Sequence, residues 1–384
     1  MSQRLAVSIA ALLTCATAAV AQNRPRNLLP SDEVAARYGL VRKWYGFAPV
    51  DGVRERVQSV TAIGDQLHVQ TNASQIHALD AESGKLLWSA QLGIPIPGQF
   101  GSAITSKSVF ALNGSKLYRL NRQDGSQLWS VRLPQAPNAA PAADEERVLV
   151  STADGRIYVY NTDTHTVNWF YQTNAAVSMP ATLLDDKIAC ASEDGMMYVF
   201  QTSSRNPTIR FKTDAPISAP MAAWGRTVLV PSRDFNLYSV DVRSGETLWR
   251  YSCGGEIRRP VTVIENDAYV APDGLGMHAL RAESGERKWL NPRAADFVVA
   301  SKNRVYAADK LGQLLILDRA NGRLLATWDT HNFDWRVRNE VNDRLYLVTT
   351  SGLVVCLHEK ANKDPVEHRK VLPPPPAAAE AGKP

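Results

Sequence analysis

Cysteine is scarce in this chain of 384 residues: there are four. Cys15 lies in an apolar N-terminal stretch, and Cys190, Cys253 and Cys356 stand far apart. No CxxC, no CxxCH and no Cys/His spacing of the zinc type occurs, which excludes a redox dithiol, an attached haem and a structural zinc site. The seven histidines are scattered and read as strand or surface residues, not metal ligands. A phosphate-cradling Walker loop, a GxSxG elbow and an HExxH helix are all missing, so no common catalytic constellation is present. Charge of one sign is lacking too. Lys and Arg total 43 against 38 Asp and Glu, a formal net charge of +5 with no basic run, which argues against nucleic acid as a partner.

Long apolar runs are confined to the start. Residues 1–21 read as a secretory signal: Arg4 supplies the positive start, Leu5 to Val20 are uncharged, and Ala19-Val20-Ala21 is a small-x-small cleavage site. The run is short for a retained span of about 20 residues. Lipidation at Cys15 is disfavoured because Thr14 stands where Gly, Ala or Ser is expected. Export leaves three cysteines, an odd number, so at least one thiol stays free. Buried thiols are the simplest expectation; a single disulfide is left open, with no pair favoured. Residues 22–37 are polar and read as a flexible lead-in, and 360–384, ending in a Pro/Ala-rich stretch, as a disordered tail.

What is abundant is a repeat. Ala78-Leu79-Asp80-Ala81-Glu82-Ser83-Gly84-Lys85-Leu86-Leu87-Trp88 recurs around Trp129, Trp249 and Trp289, and more loosely around Trp169, Phe211 and Trp328, with Trp44 closing a partial copy. A period near 40 with turn and ring signals points to a propeller or another repeat array. Asp closes the turn through its side chain, Gly supplies a positive φ, and the Trp follows on the next strand. Simple alternation puts Leu86 and Trp88 on one face. A ring wedged between neighbouring sheets buries about 150–250 Å², an upper bound of about 4–6 kcal/mol each.

Each repeat reads as four short strands. The fourth lacks the turn glycine, with Phe211 expected in the Trp role. In the third, His165 stands where Gly is expected, and in the seventh Ala326 takes the usual Trp spacing, with Trp328 two residues beyond. Asn161 to His165 has a faint likeness to a calcium loop but lacks its Gly and distant Glu, and is read as a turn. The last repeat, Trp335 to Glu359, offers three strands, while Tyr38 to Phe47 offers a spare one at the other end. The expectation is an all-β, eight-bladed propeller over residues 38–359, its last blade completed by the N-terminal strand, which removes exposed edges.

The pattern A-x-D-x-x-[ST]-G-x-x-x-W, met by Ala78 to Trp88, resembles the tryptophan-docking repeat of the pyrroloquinoline-quinone (PQQ)-like propellers. Two branches of that family are relevant. The quinoprotein dehydrogenases are usually longer, and the alcohol dehydrogenases among them carry a vicinal Cys-Cys pair that is absent here. The BamB-type scaffolds of the outer-membrane β-barrel assembly machinery have this length, an export signal and no cofactor. The resemblance thus implies an exported, non-enzymatic scaffold of the periplasm or cell envelope. It would bind envelope or outer-membrane proteins as a monomer, associated at most peripherally with the outer membrane. The alternatives are a PQQ-dependent oxidoreductase, with the cofactor held at the channel mouth by Arg, carboxylates and a metal, or a peptide- or glycan-binding propeller.

One face of such a propeller collects the loops that enter each blade and the turns between its two middle strands. Those turns carry Asp154, Asp194, Asp234, Asp273 and Asp309; Arg258, Arg259, Arg336 and Arg338 stand at the starts of inner strands, beside Trp335. Apolar anchors with a polar, arginine-rich rim suit protein docking. The candidate binding face is therefore Arg258, Arg259, Trp335, Arg336, Asp194 and Asp234. The plainer reading is that these Asp residues only shape hairpin turns.

Overall fold

The computed structural model describes residues 29–96 and 100–368. The expected signal peptide, Cys15 and residues 369–384 of the tail lie outside them. Among the described residues 32 strands form eight four-stranded antiparallel sheets, seven of them meanders in chain order. They stand as the blades of an eight-bladed propeller. Blade 1, from the channel outwards, is Val57–Ile63, Gln66–Thr71, Gln75–Asp80 and Leu86–Gln91. The middle strands, wedged between neighbouring sheets, are apolar and buried along their whole length. Outer strands such as Pro207–Lys212 alternate between half-buried and exposed residues, the period-2 signature of a sheet with one dry face. Eight apolar clusters, one at each junction between adjacent blades, make up the core.

In the eighth sheet the strand order is Leu40–Phe47, Leu353–Glu359, Leu345–Val348, Trp335–Arg336. The N-terminal strand thus pairs antiparallel with the last strand of the chain, Trp44 opposite Cys356.

Every outer strand carries a bulge at the same place. In blade 1, Trp88 lies opposite Ala78 but Leu86 lies opposite Leu79, so Leu87 is the extra residue. The N-terminal strand repeats this between Arg42 and Trp44. An extra residue turns the following side chains to the other face and adds twist. Here it overrides simple alternation: Leu86 is 39 % exposed while Trp88 is 5 % exposed. The bulge aims each indole into the next blade. There Nε1 donates to the carbonyl just after the turn-opening residue: Trp44 to Ala81 at 3.2 Å, Trp88 to Arg122 at 2.8 Å, Trp129 to Thr162 at 2.8 Å, Trp169 to Thr202 at 3.3 Å, Trp249 to Ala282 at 3.0 Å and Trp289 to Arg319 at 2.9 Å. The turn glycine makes room for the ring. Gly285 has φ 72°, and a Cβ there would stand 2.6 Å from Trp249. Blade 3 manages without glycine: His165 takes φ 51° and lays its ring 5.7 Å from that of Trp129. Its turn is closed by the Asn161 side chain, which accepts from the backbone of Asp163 and Thr164, so the stretch is a turn, as expected.

Two docking positions need correction. At the junction of blades 4 and 5 the residue in Trp register, opposite Val199, is Ile209; it lies over Gly245. Phe211 sits two residues further on, opposite Met197, and packs edge-on against Tyr238 at 5.4 Å. At the junction of blades 7 and 8 Ala326 holds the Trp register. Trp328 instead stacks on Tyr38, centroids 5.2 Å apart, because no hairpin joins the last strand of the chain to the first and the lead-in fills that gap.

The lead-in is also ordered where it is described. Asp32–Arg37 is a helix whose N-cap Ser31 accepts from Val34. Asp32 pairs with Arg42 at 2.8 Å, and Ala35 is fully buried. At the other end residues 360–368 are bound to blade 8, not loose as expected. The buried Arg344 donates to the carbonyls of Asn362 and Lys363, the Asp343 carboxylate accepts from Val366, and His368 N–H donates to Val341.

Candidate functional site

The loops entering the blades and the turns between middle strands do share one face. Backbone bonds tie each loop to the turn of the blade it enters: Ala153 donates to Ala136, Glu193 to Ala176, Arg233 to Pro216 and Asp273 to Glu256. The expected site residues divide on this face. Asp194 and Asp234 shape their own turns. Asp194 accepts from Ser192 and Met196, and Asp234 from Asn236 N–H, Asp214 N–H and the Tyr238 hydroxyl. Arg336 donates to the carbonyls of Gly312, Thr330 and Phe333, and burial pulls its pKa below the ordinary arginine value. It staples blade 8 to blade 7. Trp335 is half-buried against the junction of blades 8 and 1.

Arg258 and Arg259 remain accessible, 49 % and 46 % exposed at the side chain. They belong to a chain of ion pairs running over blades 5 to 8. Arg233 and Arg258 share Glu256, at 3.0 and 2.5 Å; Arg258 also reaches Asp273 at 3.2 Å. Hydrogen bonds from those two guanidinium groups hold the Glu256 carboxyl below the usual carboxylate range. Arg259 and Arg338 share Asp296 at 3.1 and 2.5 Å, and Arg293 reaches Asp309 at 3.4 Å. Between blades 6 and 7 lies a pocket of about 290 Å³ walled by Arg259, Asp273, Arg293, Asp309, Lys310 and Leu311. Sequence reasoning missed Arg233, Arg293, Lys310 and Leu311. Their one visible signal was position, in or beside the loops and turns of three consecutive repeats.

The central channel holds about 660 Å³ and is lined mainly by Ala, Pro, Ile, Leu and Met, with Pro180, Pro220 and Pro260 recurring at the heads of inner strands. Glu340 is the one charged residue in that lining. The segment it belongs to crosses from blade 8, where Glu340 and Arg338 both bond Thr262 of blade 6. PQQ is an aromatic tricarboxylate that needs cationic partners and a metal. A wall of small apolar groups with a single carboxylate does not fit it, and no group of three His, Cys, Asp or Glu among the described residues is placed to hold a metal. The thiols offer no chemistry either: Cys190, Cys253 and Cys356 are free and buried in separate clusters, and burial pushes Cys190 and Cys253 up to about 12.

Fold and repeat define the class: an eight-bladed PQQ-like β-propeller with an apolar channel and a charged loop face. The family model described as outer membrane protein assembly factor BamB matches residues 72–206 and 201–330, and the chain belongs to that family. Among solved structures it is similar to BamB from Moraxella catarrhalis, with a TM-score of 0.67 at 17 % identity over 85 % of this chain and 99 % of that one. It is likewise similar to the computationally designed Ika8 protein, with a TM-score of 0.65 at 16 % identity over 80 % of this chain and 98 % of that one. At such identities the likeness is one of fold. No curated protein matches the chain.

Proposed function

We propose that this protein is a non-enzymatic scaffold of the cell envelope that holds other envelope proteins on its loop face during the assembly of outer-membrane proteins. Membership of the BamB family carries the reading. The channel lining, which does not suit a quinone, and the accessible arginine network support it. The protein would act as an exported monomer in the periplasm, at most peripherally associated with the outer membrane, with no cofactor. No observation favours the oxidoreductase or a glycan-binding role.

The test is genetic and biochemical. Deleting the gene should lower the amount of folded β-barrel protein in the outer membrane, and the purified propeller should capture a component of the assembly machinery. Arg258→Glu with Arg259→Glu places new carboxylates against Glu256, Asp273 and Asp296. It should abolish capture while circular dichroism still reports a folded sheet. Unchanged barrel levels together with no capture would refute the reading.

A further inference from the structure

Three adjacent blades expose one large apolar side chain each from the same turn. In blade 5 it is Phe235, in blade 6 Leu275 and in blade 7 Leu311, exposed by 48, 43 and 77 %. Each stands in the link between the two middle strands of its blade, on the loop face. No other blade exposes a large apolar residue in the described part of this link. The three turns are contiguous. Arg233 of blade 5 and Arg258, at the head of blade 6, share Glu256, and Arg258 reaches on to Asp273 in the blade 6 turn. The blade 7 turn closes up behind: a Cβ on Gly274 would stand 3.8 Å from Lys310 Nζ.

Phe235 is held in a conformation that costs energy. The matching turns of blades 3, 4 and 7 place glycine in the left-handed region, Gly155 at φ 84°, Gly195 at φ 85° and Gly312 at φ 78°. Blade 5 has Phe235 there, at φ 72°. A bulky residue at positive φ is a true outlier, and such strain gathers where a side chain must be presented. An exposed ring gains little from the fold in return, so its place is not explained by packing.

The charge around the row is complementary to one kind of partner. The carboxylates are already engaged: Glu256 faces two guanidinium groups, as does Asp296. Lys310 has no carboxylate within ion-pair distance among the described residues, and it lies between Leu311 and the blade 6 turn. Exposed cations thus alternate with apolar side chains along the row.

We infer that the loop face of blades 5 to 7 is a docking strip for an acidic amphipathic peptide segment of a protein partner. Its apolar side chains would cover Phe235, Leu275 and Leu311, and its carboxylates would meet Arg233, Arg258 and Lys310. Apolar anchors ringed by charge suit such an interface, with the rim setting salt dependence and orientation. The inference rests on the scaffold reading and names the chemistry of its partner.

The probe is a short fluorescent peptide in which Phe and Leu alternate with Asp-Glu pairs, titrated against the full chain by anisotropy. A twin with Lys-Arg pairs and vesicles of anionic phospholipid are run beside it. The wild type should bind the acidic peptide, more weakly as salt rises, and ignore the basic twin and the vesicles. Phe235→Gly should weaken binding at least tenfold while leaving the melting temperature equal or higher, because glycine accepts φ 72° without strain. Lys310→Glu should weaken it as well. The inference is overturned by failure to bind at millimolar peptide, by equal binding of the basic twin, by binding to the vesicles in place of the peptide, or by wild-type affinity in Phe235→Gly. If that variant loses nothing yet the propeller still captures an assembly component, the scaffold reading stands and this strip falls alone.

Discussion

An indole can fill the gap between two blades and still donate one hydrogen bond out of it. That pairing explains why a ring recurs at one register and why a carbonyl of the next blade waits for it at 2.8–3.3 Å. The position of each ring could be read from spacing alone. Its orientation could not, because the bulge that turns Trp88 inward and Leu86 outward arises from pairing with the strand Gln75–Asp80. Buried histidine was equally invisible. His68 is 1 % exposed, bonded through Nδ1 to the Ser102 hydroxyl at 2.6 Å and through Nε2 to the Gln66 side-chain oxygen at 3.0 Å. Burial, aided by the Arg122 charge, lowers its pKa from 6.5 to about 3. A depressed histidine pKa means that the unfolded chain takes the proton first. The stability contributed is complete above pH 6.5 and is lost as pH falls toward about 3. Within that window His68→Asn should flatten the fall of unfolding free energy by about 1.4 kcal/mol per pH unit. Urea titrations at several pH values would reveal it, and superimposable slopes would contradict it.

At the scale of the blade, seven junctions differ from the one between blades 4 and 5. There Ile209 holds the ring position without a donor, leaving that junction without the indole bond found at six others. Gly245, at φ 78°, already offers the surface an indole needs. Ile209→Trp should therefore stabilise the protein by about 1 kcal/mol, the worth of one hydrogen bond plus added ring burial. A higher melting temperature in scanning calorimetry would bear this out; a lower one would mean that Phe211 and Tyr238 have closed the space. Of the two docking residues that depart from the common register, Trp328 was visible from its displaced spacing. Phe211 was misread, because a phenylalanine two residues late looks like a substitute when only sequence is considered, and isoleucine does not look like a ring. The site followed the same rule. Arg258 and Arg259 stood out as a charged pair at a strand head. The apolar row of Phe235, Leu275 and Leu311 did not, since three single residues about 40 apart become neighbours only when the blades stand side by side.

For the whole molecule, the two ends of the chain meet in blade 8. The strand Leu40–Phe47 brings Trp44 to the carbonyl of Ala81 and Leu40 into the cluster between blades 7 and 8. Deleting residues 37–47 should expose the edge strand Leu353–Glu359, lower the melting temperature by many degrees and broaden the transition; an unchanged melting curve would rule out a closing role for this strand. The order of residues determined the number of blades, the length of each strand and the identity of the partner strands, because turn residues and apolar periodicity act over a few positions and repeat. Tertiary structure alone decided the common bulge, the ordering of the lead-in and of residues 360–368, and which charges and apolar tips share a face. Those depend on contacts between residues from 40 to more than 300 positions apart, whose energies exist only once the neighbouring blade is in place.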